Sequence, residues 1–574
     1  MEVNNMDARP STCGDTYMRD PVTVMAPERL GAMHQNRISF VRTLIRKMAQ
    51  QKWHVTKHDW QLSPQGFGHV IYKLTTLNHI YHLVIFCDEI ADEDRNDRVI
   101  AEKWDVTFAL VYGDVDVDLL SCLRANVPLQ EAGRNPNKVL VLARANKSVR
   151  VFEHLVSHLA KGQQPNAKEL AEVGYILRTT AVYGNGKFGI ADFGWLETND
   201  DFNQSFSAQM CAVYILREFS LDWVHYLADQ QGGDKAVSLD LGLQRYLGIG
   251  NATGLGMAPY LINHPCVVDK WLSSRESALT AVLNTGVTID KLAPLQCLLD
   301  KAICHLDQII TINENQDSLN TSAINELHDL LSHLETLFLQ SQTWSELVEY
   351  ACKYSLETQE ILLSCLMEIY PVLVDSYETK MNCDESLNLP SGKRIEDLLA
   401  VLKNSYRWAI ETDFKQAENN YWFWYRSQDK EEPRLGVRGE EPGEDRELPL
   451  DIGRQANRLY HALLVCKPNM QLAEFLVVHP QYRAISRRVW TLGHKQMGEI
   501  QMNVLHKDSL PMHLLRCKLA VLGATKFDPR SARWVRVTFF QGAPLLNEIH
   551  DGEWLFPLLP SKTLNQVIAE GEAS

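Results

Sequence analysis

The stretch 69-HVIYKLTTLNHIYHLVIFCDEI-90 holds two runs of branched and aromatic residues on either side of Leu77 and Asn78. Such side chains suit a pleated surface, so the stretch predicts a β-hairpin that turns at those two residues. A third run of the same character follows, 104-WDVTFALVYGDV-115. Together these runs put a sheet in the first part of the chain and fix its class as mixed.

Working outward, 38-ISFVRTLIRKMAQQ-51 places Phe40, Leu44 and Met48 at helical spacing ahead of the sheet. Residues 1–35 are polar and carry Pro10, Pro21 and Pro27, which predicts an irregular lead-in with little power to pack. After the strands, 118-DLLSCLRANVP-128 is helical, 138-KVLVLARA-145 gives another strand and 148-SVRVFEHLVSHLAKG-162 another helix. From about residue 205, apolar residues recur at three- and four-residue spacing between short polar breaks, the pattern of a helical bundle. The segment 426-RSQDKEEPRLGVRGEEPGEDRELP-449 is charged and rich in proline and glycine, and predicts a surface loop or linker. Beyond it 534-WVRVTFFQG-542 has strand composition. The expected fold is therefore α+β and predominantly helical, in five parts: 1–35 irregular, 36–204 mixed α/β, 205–425 helical, 426–449 loop or linker, 450–574 α+β.

The 574 residues are 45% hydrophobic and 22% charged, the balance of a folded globular chain. A net charge of −15 argues against general nucleic-acid binding, which draws on a basic surface. No apolar stretch approaches a membrane span and the N-terminus lacks a secretion signal, so a cytoplasmic protein without a membrane partner is expected. The twelve cysteines show no CxxC spacing, and most read as buried free thiols. Cys517, between Arg516 and Lys518, has cationic neighbours that favour a thiolate, but its apolar run favours an inert buried thiol.

Four segments carry chemistry. In 247-LGIGNATGLGMAP-259, Gly250, Gly254 and Gly256 have the spacing GxxxGxG, which resembles the dinucleotide-binding glycines of short-chain dehydrogenases. That family needs an apolar strand before the motif and an unbroken helix after it, whereas polar DLGLQRY precedes and Pro259 follows. The less specific expectation is a glycine-rich turn whose N–H groups cradle an anion beside Arg245, Asn251, Thr253 and Asn263. The end of 178-RTTAVYGNGKFGIADFG-194 resembles the KIADFG of protein kinases, but there is no HRD upstream and YHLVIF lacks the phosphate-pairing lysine. What remains is an Asn-Gly turn, with Asn185 at its tip and Arg178 and Lys187 flanking it. In 144-RANKSVR-150, Arg144, Lys147 and Arg150 would share one face of a helix start. Finally, the five aromatics of 421-YWFWY-425 cannot all face one core, so some ring must line a groove or an interface.

The histidine pairs His54/His58 and His154/His158 have i, i+4 spacing but no third ligand at a motif distance, and no metal site is expected. No cofactor motif is complete, which leaves the cofactor open. The sequence thus predicts an enzyme acting on a small anionic metabolite that bears a carboxylate or a phosphate. Arg144, Arg150, Arg178, Asn185, Lys187, Asn251 and Thr253 would grip it, with His264 as acid or base. The alternative is a non-catalytic interaction protein that uses its helical portion and residues 421–425 as a partner surface. Assembly into a homo-oligomer is compatible with either.

Overall fold

The computed structural model describes residues 18–26, 29, 36–90, 103–130, 134–182, 196, 198–253, 264–307, 309, 314–382, 386–415, 422–426, 433–437, 447–448, 451–499, 516–529 and 535–549. Its strands are β1 His54–Leu62, β2 Gly68–Thr75, β3 Ile80–Cys87, β4 Val106–Tyr112, β5 Val139–Lys147, β6 Tyr175–Thr179, β7 Gly248–Thr253, β8 Trp422–Arg426, β9 Pro433–Val437, β10 Glu447–Leu448, β11 Lys526–Pro529 and β12 Val535–Phe539. Nine of them form one sheet in the order β1-β2-β3-β4-β5-β6-β7-β12-β11, and β10-β8-β9 form a second, small one. The expected hairpin is present: β2 and β3 pair antiparallel from Gly68↔Cys87 to Thr75↔Ile80. Among the described strands only β6 and β7 pair in parallel.

The central strands are apolar without alternation because both faces of the sheet are covered. On one face lies a 26-residue helix, Ser207–Gly232. It is buried on nearly every side, from Met210 through Leu216 without a break, so it reads as core rather than as an amphipathic stripe. Ala143, Ala145, Leu177, Ile249, Val537 and Phe539 belong to the same core. The other face carries Ile71, Val84, Phe86, Ala109 and Val111, covered by Leu119 and Leu123 of the helix Val117–Asn126. In chain order these and the other helices used below are α1 Phe40–Gln50, α2 Val117–Asn126, α3 Phe152–Ala160, α4 Ser207–Gly232, α5 Leu241–Tyr246, α6 Pro265–Leu283, α7 Leu356–Glu368 and α8 Pro371–Asp375. The C-terminal strand β12 pairs with β7 and carries β11 on its other side, so residues 526–529 and 535–539 extend a sheet that begins at His54. Helices between 395 and 493 form a separate core around Ile395, Leu402, Leu459, Phe475 and Val489.

Two expectations change. Within 426–449, read as loop, β9 and β10 pair with β8, which carries most of the aromatic run. Aromatic residues favour an extended backbone, and Pro433 is tolerated as the first residue of a strand. The side chains of this small sheet lie outside the described residues. Nor does the lead-in lack packing. Val24 and Met25 are buried, and Arg19 and Arg29 pair with Glu360 of α7. Apolar spacing gave little sign of this, because only Val24 and Met25 join the apolar core and the rest of the contact is ionic. Among the described residues no helix is long and apolar enough to cross a membrane.

Candidate functional site

Register decides which polar residues meet. Asn146 of β5 lies opposite Arg178 of β6, Arg178 opposite Gly250 of β7, and Gly250 opposite Thr538 of β12. Directly paired residues share a face and residues two apart on a strand share it too. Arg144, Asn146, Arg178, Arg536 and Thr538 therefore project from one side of the sheet, the side away from α4. Two adjoining hollows open there. The larger is lined by Ser148, Arg150, Tyr175, Arg178 and Arg536 among others. The smaller is lined by Trp104, Arg144, Asn146, Thr180 and again Arg178.

Every charged side chain in these linings is cationic. The guanidinium of Arg144 lies 4.1 Å from the centre of the Trp104 ring, a cation–π contact that holds it flat. Arg150 reaches Glu172 at 3.7 Å, but both are well exposed and the pair contributes little. Arg178 has no carboxylate partner among the described residues. Chemically, the linings offer guanidinium, hydroxyl, amide and indole donors, a set suited to holding negative charge.

The structure places the expected residues unevenly. Arg144, Arg150 and Arg178 come together at the hollows. The helical face drawn for 144–150 is not there: β5 runs through Lys147, and the next helix, α3, starts only at Phe152. Lys147 consequently turns to the α4 side, its ammonium over the rings of Phe152 and Trp223 at 4.3 and 4.7 Å. Asn251 also faces that side, where its amide donates to the Thr179 carbonyl at 3.0 Å and ties β6 to β7. Thr253 pairs with Val535 through its backbone, and its side chain lies outside the described residues. Asn185 and Lys187 lie outside them as well, in chain that follows β6. His264 precedes α6, packed edge-on to Phe206 at 5.9 Å, and lines neither hollow.

In the glycine stretch, Gly248 and Gly250 do not form a turn but belong to β7, while Gly254 and Gly256 lie outside the described residues. A Cβ on Gly250 would come within 2.6 Å of the Tyr175 ring, and one on Gly248 within 2.3 Å of the Phe539 carbonyl oxygen. Glycine is required here by close approach within the sheet. Gly250→Ala should therefore destabilise the protein by about 1–3 kcal/mol through overpacking. Adding Tyr175→Ala should recover part of that loss, and additive losses in a double-mutant cycle of chemical denaturation would refute the contact.

Sequence reasoning passed over Trp104, Ser148, Tyr175, Thr180 and Arg536. The alternation in 535-VRVTF-539 does signal that Arg536 and Thr538 share a face, but not that this strand lies beside β7. Elsewhere, His154 and His158 stack with ring centres 4.1 Å apart, and among the described residues no group of three or more His, Cys, Asp or Glu is arranged to hold a metal. Burial pushes the Cys517 thiol up to about 12 against the pull of Arg516, which makes it the inert thiol. No family model matches the chain, and neither does any curated protein or solved structure.

Proposed function

We propose that the protein binds a small anionic molecule, bearing a phosphate or a carboxylate, in the paired hollows between β5, β6 and β12. The observation that carries this is the convergence of Arg144, Arg178 and Arg536, from three strands distant in sequence, on one face of the sheet. The hollows flank β6 where it pairs in parallel with β7 in an otherwise antiparallel sheet, the larger beside Val173 and Tyr175 at its amino end and the smaller beside Thr180 at its carboxyl end. An enzyme acting on the bound molecule is the wider reading.

Arg178→Ala tests the proposal. Each charge-assisted hydrogen bond contributes about 1.5–3 kcal/mol, so affinity for a phosphate- or carboxylate-bearing ligand should fall roughly ten- to hundredfold. The unliganded melting temperature should hold, because Arg178 has no carboxylate partner to lose among the described residues. Ligand-dependent thermal shift measures both quantities, and an unchanged ligand response would remove Arg178 from the site. The interaction-protein reading draws support from Val465, Val477 and Val478, apolar side chains 69–87% exposed on the separate helical core.

A further inference from the structure

We infer that residues 543–549, which follow β12, form a latch on α4 and α5 that is tight in acid and loosens as pH rises to neutrality, with Glu218 as the group that releases it. The chain enters this segment through a sharp turn in which Phe540 and Gly542 have left-handed backbone, at φ 60° and 78°. A bulky residue such as Phe540 is strained in that conformation, so the turn persists only while the segment beyond it is held down. Leu545 and Ile549 hold it by burial. Polar contacts add to this. Tyr214 of α4 donates through Oη to the Pro544 carbonyl at 2.6 Å, and Arg217 donates to the Ala543 and Pro544 carbonyls.

Two carboxylates grip successive amides of the latch. Glu218 of α4 accepts from the Leu546 N–H at 3.3 Å, and Glu548, in the latch itself, accepts from the Leu545 N–H at 3.1 Å. They meet at one turn, yet they are not equally neutralised. Arg245 of α5 reaches both oxygens of Glu548 through Nε, at 3.1 and 3.0 Å. Among the described residues Glu218 has one cationic donor, Nη1 of Arg217 at 3.1 Å, and that guanidinium is already shared by five backbone carbonyls. Asp222, one turn further along α4, adds negative charge and engages Lys57 of β1 at 2.7 Å. The phenols of Tyr214 and of Tyr72 on β2, which burial keeps protonated, add none. Burial, then Asp222 and Glu548, push the Glu218 carboxyl from its ordinary 4.5 up to about 7 against Arg217 and the Leu546 amide. Hydrogen bonds from Arg245 hold Glu548 below its ordinary value. Glu218 therefore changes charge near neutrality.

Lifting the latch admits water to Glu218 and carries Glu548 away from it, so the carboxylate forms more readily in the open state than in the docked one. An acid raised in the docked state favours docking while it is protonated, and loses that contribution as pH climbs from its open-state value to its docked one. Hydrogen–deuterium exchange of the full-length protein between pH 5 and pH 8, corrected for the intrinsic rate, tests this with the amides of β3 as internal reference. Relative to β3, residues 543–549 should open roughly tenfold or more readily at pH 8 than at pH 5. Glu218→Gln, neutral at every pH, should make their protection independent of pH. Glu218→Ala, which removes the carboxyl and keeps a strong helix former, gives the same reading should the glutamine variant misfold. Latch protection that follows β3 at every pH in the wild type would overturn the inference without any variant, and so would a pH dependence that survives the loss of the Glu218 carboxyl.

Discussion

Glu360→Gln should destabilise the protein by about 3–5 kcal/mol, the range found when one partner of a buried ion pair is removed. Glu360 lies on α7 with its side chain wholly buried. It accepts from Arg19 Nη1 at 2.8 Å and pairs with Arg29 and Arg275. Arg19 also grips Glu276 of α6 through Nε and Nη2, at 2.8 and 2.7 Å. The arrangement continues along α7. Glu357 pairs with Arg516, and Glu368 with Arg42 and with Arg37, the latter at 3.0 Å. Arg37 further donates to Asp375 of α8 at 2.7 and 2.8 Å, and Arg46 pairs with Glu378. A neutral amide at 360 would replace the carboxylate shared by Arg19, Arg29 and Arg275 with a weak acceptor and leave Glu276 as the remaining carboxylate beside Arg19 and Arg275. Burial alone would raise the Glu360 carboxyl, but Arg19, Arg275 and Arg29 outweigh it and hold the group well below its ordinary 4.5. A depressed acid stabilises the fold above its unfolded value and loses that contribution as pH falls. The gap between wild type and variant should accordingly narrow as pH drops below about 4.5. Denaturant unfolding at pH 7 and pH 3.5 measures it, and a loss under about 1 kcal/mol at pH 7 would mean that the pairs contribute no more than surface ones.

This network shows where local reading of the sequence stops. Glu357, Glu360 and Glu368 have the spacing of one helix face, and such a face is normally solvated. Nothing in the segment distinguishes it from one buried under arginines that arrive from the lead-in and from α1. The hairpin β2/β3 and the helix α4 were legible because their signals are local: β-branched and aromatic density in one, a long apolar run in the other. The strands β6 and β7 were not. YILRT is short, and GIGNAT carries glycines that normally punctuate turns, until the Tyr175 ring supplies another reason for Gly250. The same limit divides the candidate site. Arg144, Arg150 and Arg178 could be singled out by charge, whereas Arg536 enters only through the pairing of β12 with β7, which no window of sequence contains.

Arg217→Met should cost a comparable amount, about 3–5 kcal/mol, because it strands acceptors as well as removing a charge. Arg217 of α4 is fully buried and donates to five backbone carbonyls. Its Nε reaches Leu247 at 2.8 Å, and Nη2 reaches Gln244, Arg245 and Ala543 at 3.2, 3.1 and 3.1 Å. Nη1 reaches Pro544 at 3.0 Å and the Glu218 carboxylate at 3.1 Å. Gln244, Arg245 and Leu247 are the terminal carbonyls of α5 and of the link into β7, which no helical N–H can satisfy. Ala543 and Pro544 follow β12. One guanidinium thus joins the entry to β7 with the exit from β12, the two strands whose register sets Arg536 beside Arg178. The variant should lose ligand affinity along with stability. A pH dependence separates this arrangement from simple loss of packing. Burial pushes the Glu218 carboxyl up to about 7 against the pull of Arg217. A raised acid favours the fold while protonated and loses that contribution as pH rises through its folded value. Without Arg217 its charged form is costlier still, so the variant's deficit should be larger at pH 8 than at pH 5. Equal deficits at the two pH values, measured by denaturant unfolding, would show that Arg217 acts on the carbonyls alone and not on Glu218.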